Sequence, residues 1–245
     1  MSEFVNSNDN LTLFQKLHNQ LAEIIESTPA GQKLKSEPEL ATELGVSRAT
    51  LREAMRSFES QGLIRRRQGV GTFVLDQRQN IESGLEILES IETQATRLGM
   101  DVKMGYLGIN RSEAGEEFGH KLEIAPNNRI VSISRVIWVS DHPVAYLIDI
   151  LPEDVLPEED LINGFTGSVL DLLIKRGSFQ LSHSKTYISA CPATSDLAKK
   201  IQLQRGDVIQ KFEAYLVEKS GRILDYSESY FAPGFFKFHV IRKIG

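Results

Sequence analysis

The sequence predicts an α+β protein of two domains: a small N-terminal helical unit closed by a β-hairpin, and a larger C-terminal unit built on an antiparallel sheet. Three observations carry this. The chain has 245 residues, more than a lone small module needs and enough for two domains. Its apolar pattern changes near residue 99, from helical spacings of three and four to runs rich in Val, Ile, Tyr and Phe bounded by Gly, Pro and Asn-Asn turns. Charge divides at nearly the same place. Residues 1–78 hold 10 Lys/Arg and 10 Asp/Glu, whereas residues 79–245 hold 18 and 23, so the formal net charge of −5 belongs wholly to the second part.

Composition bounds the function. With 41% hydrophobic and 25% charged residues, the chain has material for a core and is neither disordered nor collagenous. The acidic total argues against a protein that coats nucleic acid by bulk charge. No apolar run reaches the roughly 18 residues of a membrane span, and residues 1–10 are polar without a signal-peptide pattern. The single Cys191 cannot form an internal disulfide, which suits a reducing compartment. A cytoplasmic protein without membrane partners is expected.

Leu13, Leu17, Leu21, Ile24 and Ile25 predict a helix over 12–27 that buries one face, with Thr12 as its cap. Ser36-Glu37-Pro38-Glu39 is a capping box with proline in the first turn, where its missing N–H costs little. The short helix it opens, through Leu40, Ala41 and Leu44, ends at Gly45. From Ser47 a second helix runs to about Ser60. It buries Leu51, Ala54, Met55 and Phe58 and lines its other side with Arg48, Arg52 and Arg56. Leu63 to Arg66 and Thr72 to Leu75 then pair around Gln68-Gly69-Val70-Gly71.

Residues 76–80 read as a linker, and Ile81, Leu85, Leu88, Ile91, Ala95 and Leu98 predict a connecting helix over 81–98. Beyond it, strands are expected at about 101–109, 130–139, 144–151, 181–190, 207–217, 223–231 and 236–241, and helices at about 112–121, 168–176 and 194–202. Short turns such as Ser140-Asp141-His142 and Lys219-Ser220-Gly221 favour antiparallel pairing. The expected organisation is therefore a first domain over 1–76, a linker and helix over 77–98, and a second domain over 99–245.

Helix, tight turn, helix and glycine hairpin within about 65 residues form the winged helix-turn-helix plan. The start of the Ser47 helix can enter a major groove, with Arg48 and Arg52 in reach of guanine or phosphate. Arg65, Arg66 and Arg67 sit where a wing would meet the backbone. Leu34-Lys35-Ser36-Glu37-Pro38-Glu39-Leu40-Ala41, Leu44-Gly45-Val46-Ser47-Arg48-Ala49-Thr50-Leu51-Arg52-Glu53-Ala54, Gly62-Leu63-Ile64 and Gly69-Val70-Gly71-Thr72-Phe73-Val74 resemble the winged-helix domain of the GntR family of bacterial transcription regulators. The resemblance implies operator contacts from Ser47, Arg48, Thr50, Arg52, Gln68 and Gly69. Lys35, Ser36, Arg56, Arg66 and Gly71 complete the expected DNA-contact set. Where the family usually has Pro-Ser-Glu-Arg, this chain has Lys35-Ser36-Glu37-Pro38, so one DNA-touching arginine is missing and Lys35 supplies charge from another place.

Residues 100–241 resemble the UTRA effector domain of the HutC-like branch, which has a chorismate-lyase-like fold and binds small metabolites. The residues concerned are Arg135, Asp141-His142-Pro143, Leu151-Pro152, Gly167-Ser168, Asp225-Tyr226-Ser227 and Tyr230. The resemblance implies an effector site at Arg135, Ser168, Asp225 and Tyr230. Members that sense sugar phosphates carry a second arginine, a glutamate and a tyrosine at positions that here are Ile137, Leu147 and Leu170. One anion site and a less hydroxylated, partly apolar effector are therefore expected. The whole predicts a metabolite-responsive repressor that binds a palindromic operator as a homodimer. No cofactor, metal site or catalytic residue is expected: the five histidines show no ligand spacing, and no nucleophile-base pair or phosphate loop is present.

Overall fold

A computed structural model describes residues 13–60, 62–67, 69–75, 81–139, 142–163, 165 and 167–244. The chain divides into two compact units, residues 1–80 and 81–245. Thr12, Gln68, residues 76–80 and Asp141, on which expectations above fall, lie outside the described residues.

In the first unit, α1 (Leu13–Ser27), α2 (Glu37–Glu43) and α3 (Arg48–Ser60) precede a hairpin of β1 (Ile64–Arg67) and β2 (Gly71–Val74). Leu17, Leu21 and Ile25 of α1 meet Leu51, Ala54, Met55 and Phe58 of α3, with Leu40, Ile64 and Val74 closing the core. The apolar spacings of the sequence thus converge on one cluster, the main stabilising term for so small a unit. Gly45 takes φ +64, which lets the chain reverse between α2 and α3. The hairpin runs from Ile64 opposite Val74 to Arg67 opposite Gly71. Gly31 N–H donates to Val74 O at 2.8 Å and Leu34 N–H to Thr72 O at 2.8 Å, so residues 31–34 add to its open edge.

The second unit is built on a sheet of β4 (Val102–Glu113), β5 (Arg129–Val139), β6 (His142–Pro152), β7 (Leu181–Pro192), β8 (Val208–Glu218) and β9 (Ile223–Phe231). Their order is β4-β5-β6-β9-β8-β7, and every neighbouring pair is antiparallel. On one face lie α4 (Ile91–Arg97) and α7 (Val169–Arg176), through clusters around Ala95, Leu147 and Phe231 and around Leu151, Leu172 and Leu216. On the other face lie α5 (Gly115–Leu122) and α8 (Ser195–Lys200), packed on Tyr226 and Ile150 and on Ile209 and Tyr146. A short helix, α6 (Glu158–Asn163), precedes α7.

The expected helix over 81–98 does not form as one element. Ile81–Gly84 is a strand, β3, parallel to β10 (Phe236–His239), and a turn with exposed Leu85, Ile87 and Leu88 separates it from α4. Ile81 is driven into the core with Phe235 and Phe231, and Ser90 caps α4 by accepting from Thr93 N–H at 2.9 Å. Residues 81–98 therefore belong to the second unit instead of forming a connecting helix.

Candidate nucleic-acid interface and ligand cavity

The first unit presents the start of α3. Ser47 Oγ accepts from Thr50 N–H at 3.1 Å and lies 2.8 Å from Thr50 Oγ1, capping the helix on its exposed side. Arg48 follows directly, exposed, and its guanidinium meets no carboxylate among the described residues. Arg52 donates through Nε to Glu37 at 2.6 Å, which ties its direction to the start of α2. Arg56 is exposed beside Glu53 at 3.4 Å. Ser36, also exposed, is held by Glu39, whose carboxylate accepts from the Ser36 N–H at 2.8 Å and hydroxyl at 2.7 Å. Those bonds hold the Glu39 carboxyl below its usual range. Lys35 pairs with Glu43 at 2.8 Å on the surface.

The wing differs from expectation at two of its arginines. Arg66, with 13% of its side chain exposed, lies 3.6 Å from Glu37 and 3.4 Å from Glu59, and its backbone N–H donates to Glu59 at 2.9 Å. It braces the hairpin against α2 and α3 instead of facing outward, a correction to its expected DNA contact. Two carboxylates are its counter-charges. Arg65 is buried as well, and burial with neighbouring Arg67 lowers its guanidinium to about 10. At the turn, Gly69 takes φ +75 and Gly71 φ +139. A Cβ at Gly71 would lie 2.1 Å from Lys33 Cε. Lys33, exposed and paired across from Phe73, thus brings a basic side chain to the wing that sequence reasoning missed; its odd place in a Gln-Lys-Leu-Lys run gave no periodic signal.

The second unit holds a cavity of about 570 Å³ between the sheet and α4, α7 and β3. Strand alternation decides what lines it. From β9 come Asp225, Ser227, Ser229 and Phe231; from β8, Phe212, Ala214 and Leu216; from β6, Leu147 and Asp149; and from β5, Arg135. Arg135 is 4% exposed, donates to Asp149, and lies over the Phe165 ring at 5.9 Å. Asp225 accepts from Ile150 N–H at 3.2 Å. Burial, and then the adjacent Asp149 carboxylate, push the Asp225 carboxyl well above the usual carboxylate range, which favours its protonated form. Ser168 caps α7 by accepting from Asp171 N–H at 3.0 Å. Ser90 donates to the Asp171 carboxylate at 2.6 Å, joining the starts of α4 and α7.

Residues 97–237 match the UTRA domain family, and residues 12–74 match the gntR family of bacterial regulatory proteins. The chain belongs to the GntR family. It is of the kind that carries a UTRA domain, and it is a transcriptional regulator, not an enzyme. It is 26% identical over 217 residues to the probable fructoselysine utilization operon transcriptional repressor of Escherichia coli (strain K12), covering 89% of this chain and 87% of that one. To the histidine utilization repressor of Pseudomonas aeruginosa it is 31% identical over 116 residues, 47% and 46% of the two chains. The crystal structure of PhnF from Mycobacterium smegmatis shares the fold, with a TM-score of 0.64 at 16% identity, over 94% of this chain and 100% of that one.

Within this GntR-UTRA regulator the effector set expected from the sequence divides. Arg135, Ser168 and Asp225 all line the cavity. Tyr230 does not: it is one residue out of phase with Asp225, Ser227 and Ser229, so β9 turns it to the opposite face. There its hydroxyl donates to Glu228 at 2.8 Å and its ring stacks on Tyr146 at 6.3 Å. Tyr226 lies on the same side, its hydroxyl 3.0 Å from Glu213 and 2.9 Å from Glu228, with Lys121 donating to it. Glu92 and Asp149 were not foreseen. Asp149 had a signal, being two residues from Leu147 on one strand face; Glu92 was hidden in the stretch read as a continuous helix. Among the described residues no group of three or more His, Cys, Asp or Glu is placed to hold a metal ion, and no helix is long and apolar enough to cross a membrane.

Proposed function

We propose that this regulator is a repressor that binds a palindromic operator as a homodimer, with a small molecule in the second unit's cavity setting operator affinity. One observation carries it: a capped helix start presents Arg48, exposed and without a carboxylate partner among the described residues, in the same chain as a cavity of about 570 Å³ walled by both apolar and polar side chains. Repression is the role named in both relatives above. Two copies are favoured because one winged unit covers little DNA, and two related by a two-fold axis read half-sites in successive major grooves. The edge strands β4 and β7, at opposite ends of the sheet, leave Tyr106 and Leu107 on one edge and Tyr187 and Ile188 on the other exposed, and a second copy pairing with either edge would cover one of these patches. The operator places the protein in the bacterial cytoplasm. An anionic effector, suggested in the sequence by Arg135 and Ser168, fits poorly, because Asp149 already pairs with Arg135 and the Asp171 carboxylate stands beside the start of α7 that Ser168 caps.

The test is Arg48→Ala against duplex DNA from the promoter of the protein's own gene. If Arg48 reads a base, affinity at fixed salt falls by about 1–3 kcal/mol, roughly 5- to 150-fold. Unchanged affinity in a gel shift would remove α3 from the interface.

A further inference from the structure

We propose that the effector presents a protonated amine to this cavity, with the Glu92 carboxylate as its counter-charge and an apolar body against the sheet. The inference rests on the effector role proposed above and specifies its chemistry.

The chain sets a carboxylate of its own beside each place where an anionic ligand would dock. The Arg135 guanidinium is taken by Asp149. Beside the start of α7, where Ser168 Oγ accepts from Asp171 N–H at 3.0 Å, stands the Asp171 carboxylate, which accepts from the hydroxyls of Ser90 at 2.6 Å and Thr93 at 3.2 Å. Further negative charge has no place. Among the described lining residues stand five carboxyl groups, Glu86, Glu89, Glu92, Asp149 and Asp225, against the Arg135 guanidinium, with Glu89 paired to Arg97 at 2.8 Å just outside the lining. Even with Asp225 protonated and Glu89 paired to Arg97, the wall is net negative, and a further buried anion would be desolvated among like charges.

Glu92 is the group without a match. Its Oε1 is shut off from solvent and has no hydrogen-bond partner among the described residues. Burial raises its carboxyl pKa, and Arg135 opposes that only in part. Gly167 packs close against it: a Cβ there would lie 3.3 Å from Glu92 Oε1, and its φ of +121 strains any other residue. Glu92 lines the cavity, so an ammonium group there would give its carboxylate a charge-assisted hydrogen bond and offset the negative wall. Arg135 Nε, also unpartnered among the described residues, can donate to a neutral oxygen beside that amine. Leu147, Leu170, Phe212 and Phe231 form the apolar surface for the remainder.

Calorimetric titration of the full chain with pairs of equal frame tests this. Phenylalaninol, leucinol and 4-aminobutan-1-ol carry an amine and a hydroxyl; 3-phenyllactate, 2-hydroxyisocaproate and 4-hydroxybutyrate carry an acid and a hydroxyl on the same carbon frames without an amine, and glucose 6-phosphate carries a phosphate. At least one amine binds saturably in the millimolar range or better, at least about tenfold tighter than its acid partner, and Glu92→Gln weakens it at least about tenfold. Glu92→Gln keeps the side-chain volume, and a thermal melt no lower than the parent's shows that it folds. Tighter binding of an acid or of the phosphate, amine affinity unchanged by Glu92→Gln, or no amine binding at millimolar concentration overturns the proposal. Acid or phosphate binding that Leu147→Trp abolishes would overturn the charge class while leaving the cavity's effector role intact. Ligands that bind without occupying the cavity, and so ignore Leu147→Trp, would overturn both.

Discussion

Replacing Glu37 by Gln removes one charge from the point where α2, α3 and the wing meet. Glu37 accepts from Arg52 Nε at 2.6 Å and lies 3.6 Å from Arg66. The two halves differ in environment. Arg52 is 51% exposed, so solvent screens its pair to about 0–1 kcal/mol. Arg66 is 13% exposed and would keep only Glu59, at 3.4 Å, leaving part of a buried guanidinium uncompensated. That half dominates, and the sum is about 1–3 kcal/mol lost from the first unit. Native-state hydrogen exchange at core amides of α3, such as Met55 and Phe58, reads the opening of this unit alone, and protection there should fall about 5- to 150-fold. Glu43→Gln, which breaks only the exposed pair with Lys35, is the control and should stay within about 0.5 kcal/mol. The same Glu37→Gln protein should also bind operator more weakly, because Arg52 loses the group that directs it, although net charge favours DNA by one unit. Exchange protection equal to the parent's, or tighter DNA binding, would refute the bracing role.

Two further perturbations have definite signs. Gly69→Ala meets no neighbour within 4 Å but must hold φ +75, so it costs about 1–2 kcal/mol of wing stability through backbone strain alone, readable as faster hydrogen exchange across β1 and β2. Asp225 is protonated in the folded unit and ionised in the unfolded chain over the range between its ordinary and its raised pKa. Its contribution is therefore complete below the ordinary carboxylate pKa and is lost as pH rises toward the folded value. Asp225→Asn, which keeps the neutral shape beside Asp149 and Arg135, should flatten that part of the melting temperature against pH; an unchanged slope would show that Asp225 is ionised in the fold.

The sequence made the first unit legible because its signals are local. Capping box, Gly45, the Leu51-Ala54-Met55-Phe58 stripe and the glycine turn each act within a few residues, and all of them appear where the spacing puts them. Arg66 was harder: its inward direction depends on Glu37 and Glu59, which only the folded chain brings near it. In the second unit the strands were legible from Val, Ile and aromatic runs, and even the side each residue faces was available from the two-residue period. Applied to β9, that period separates Tyr230 from Asp225 without any structure. The strand β3 was not legible, since Ile81–Gly84 pairs with Phe236–His239 at the far end of the chain and a four-residue run carries no period of its own. Glu92 was lost with it.

The most direct measurement is selection of bound duplexes from a random DNA pool by the full chain, followed by sequencing. An inverted repeat should be enriched, its half-site centres one helical turn or a multiple apart, and Arg48→Ala should weaken or relax the preference at one position in each half-site. A pool that shows no sequence preference after selection, or one enriched equally by Arg48→Ala, would contradict operator recognition through the start of α3.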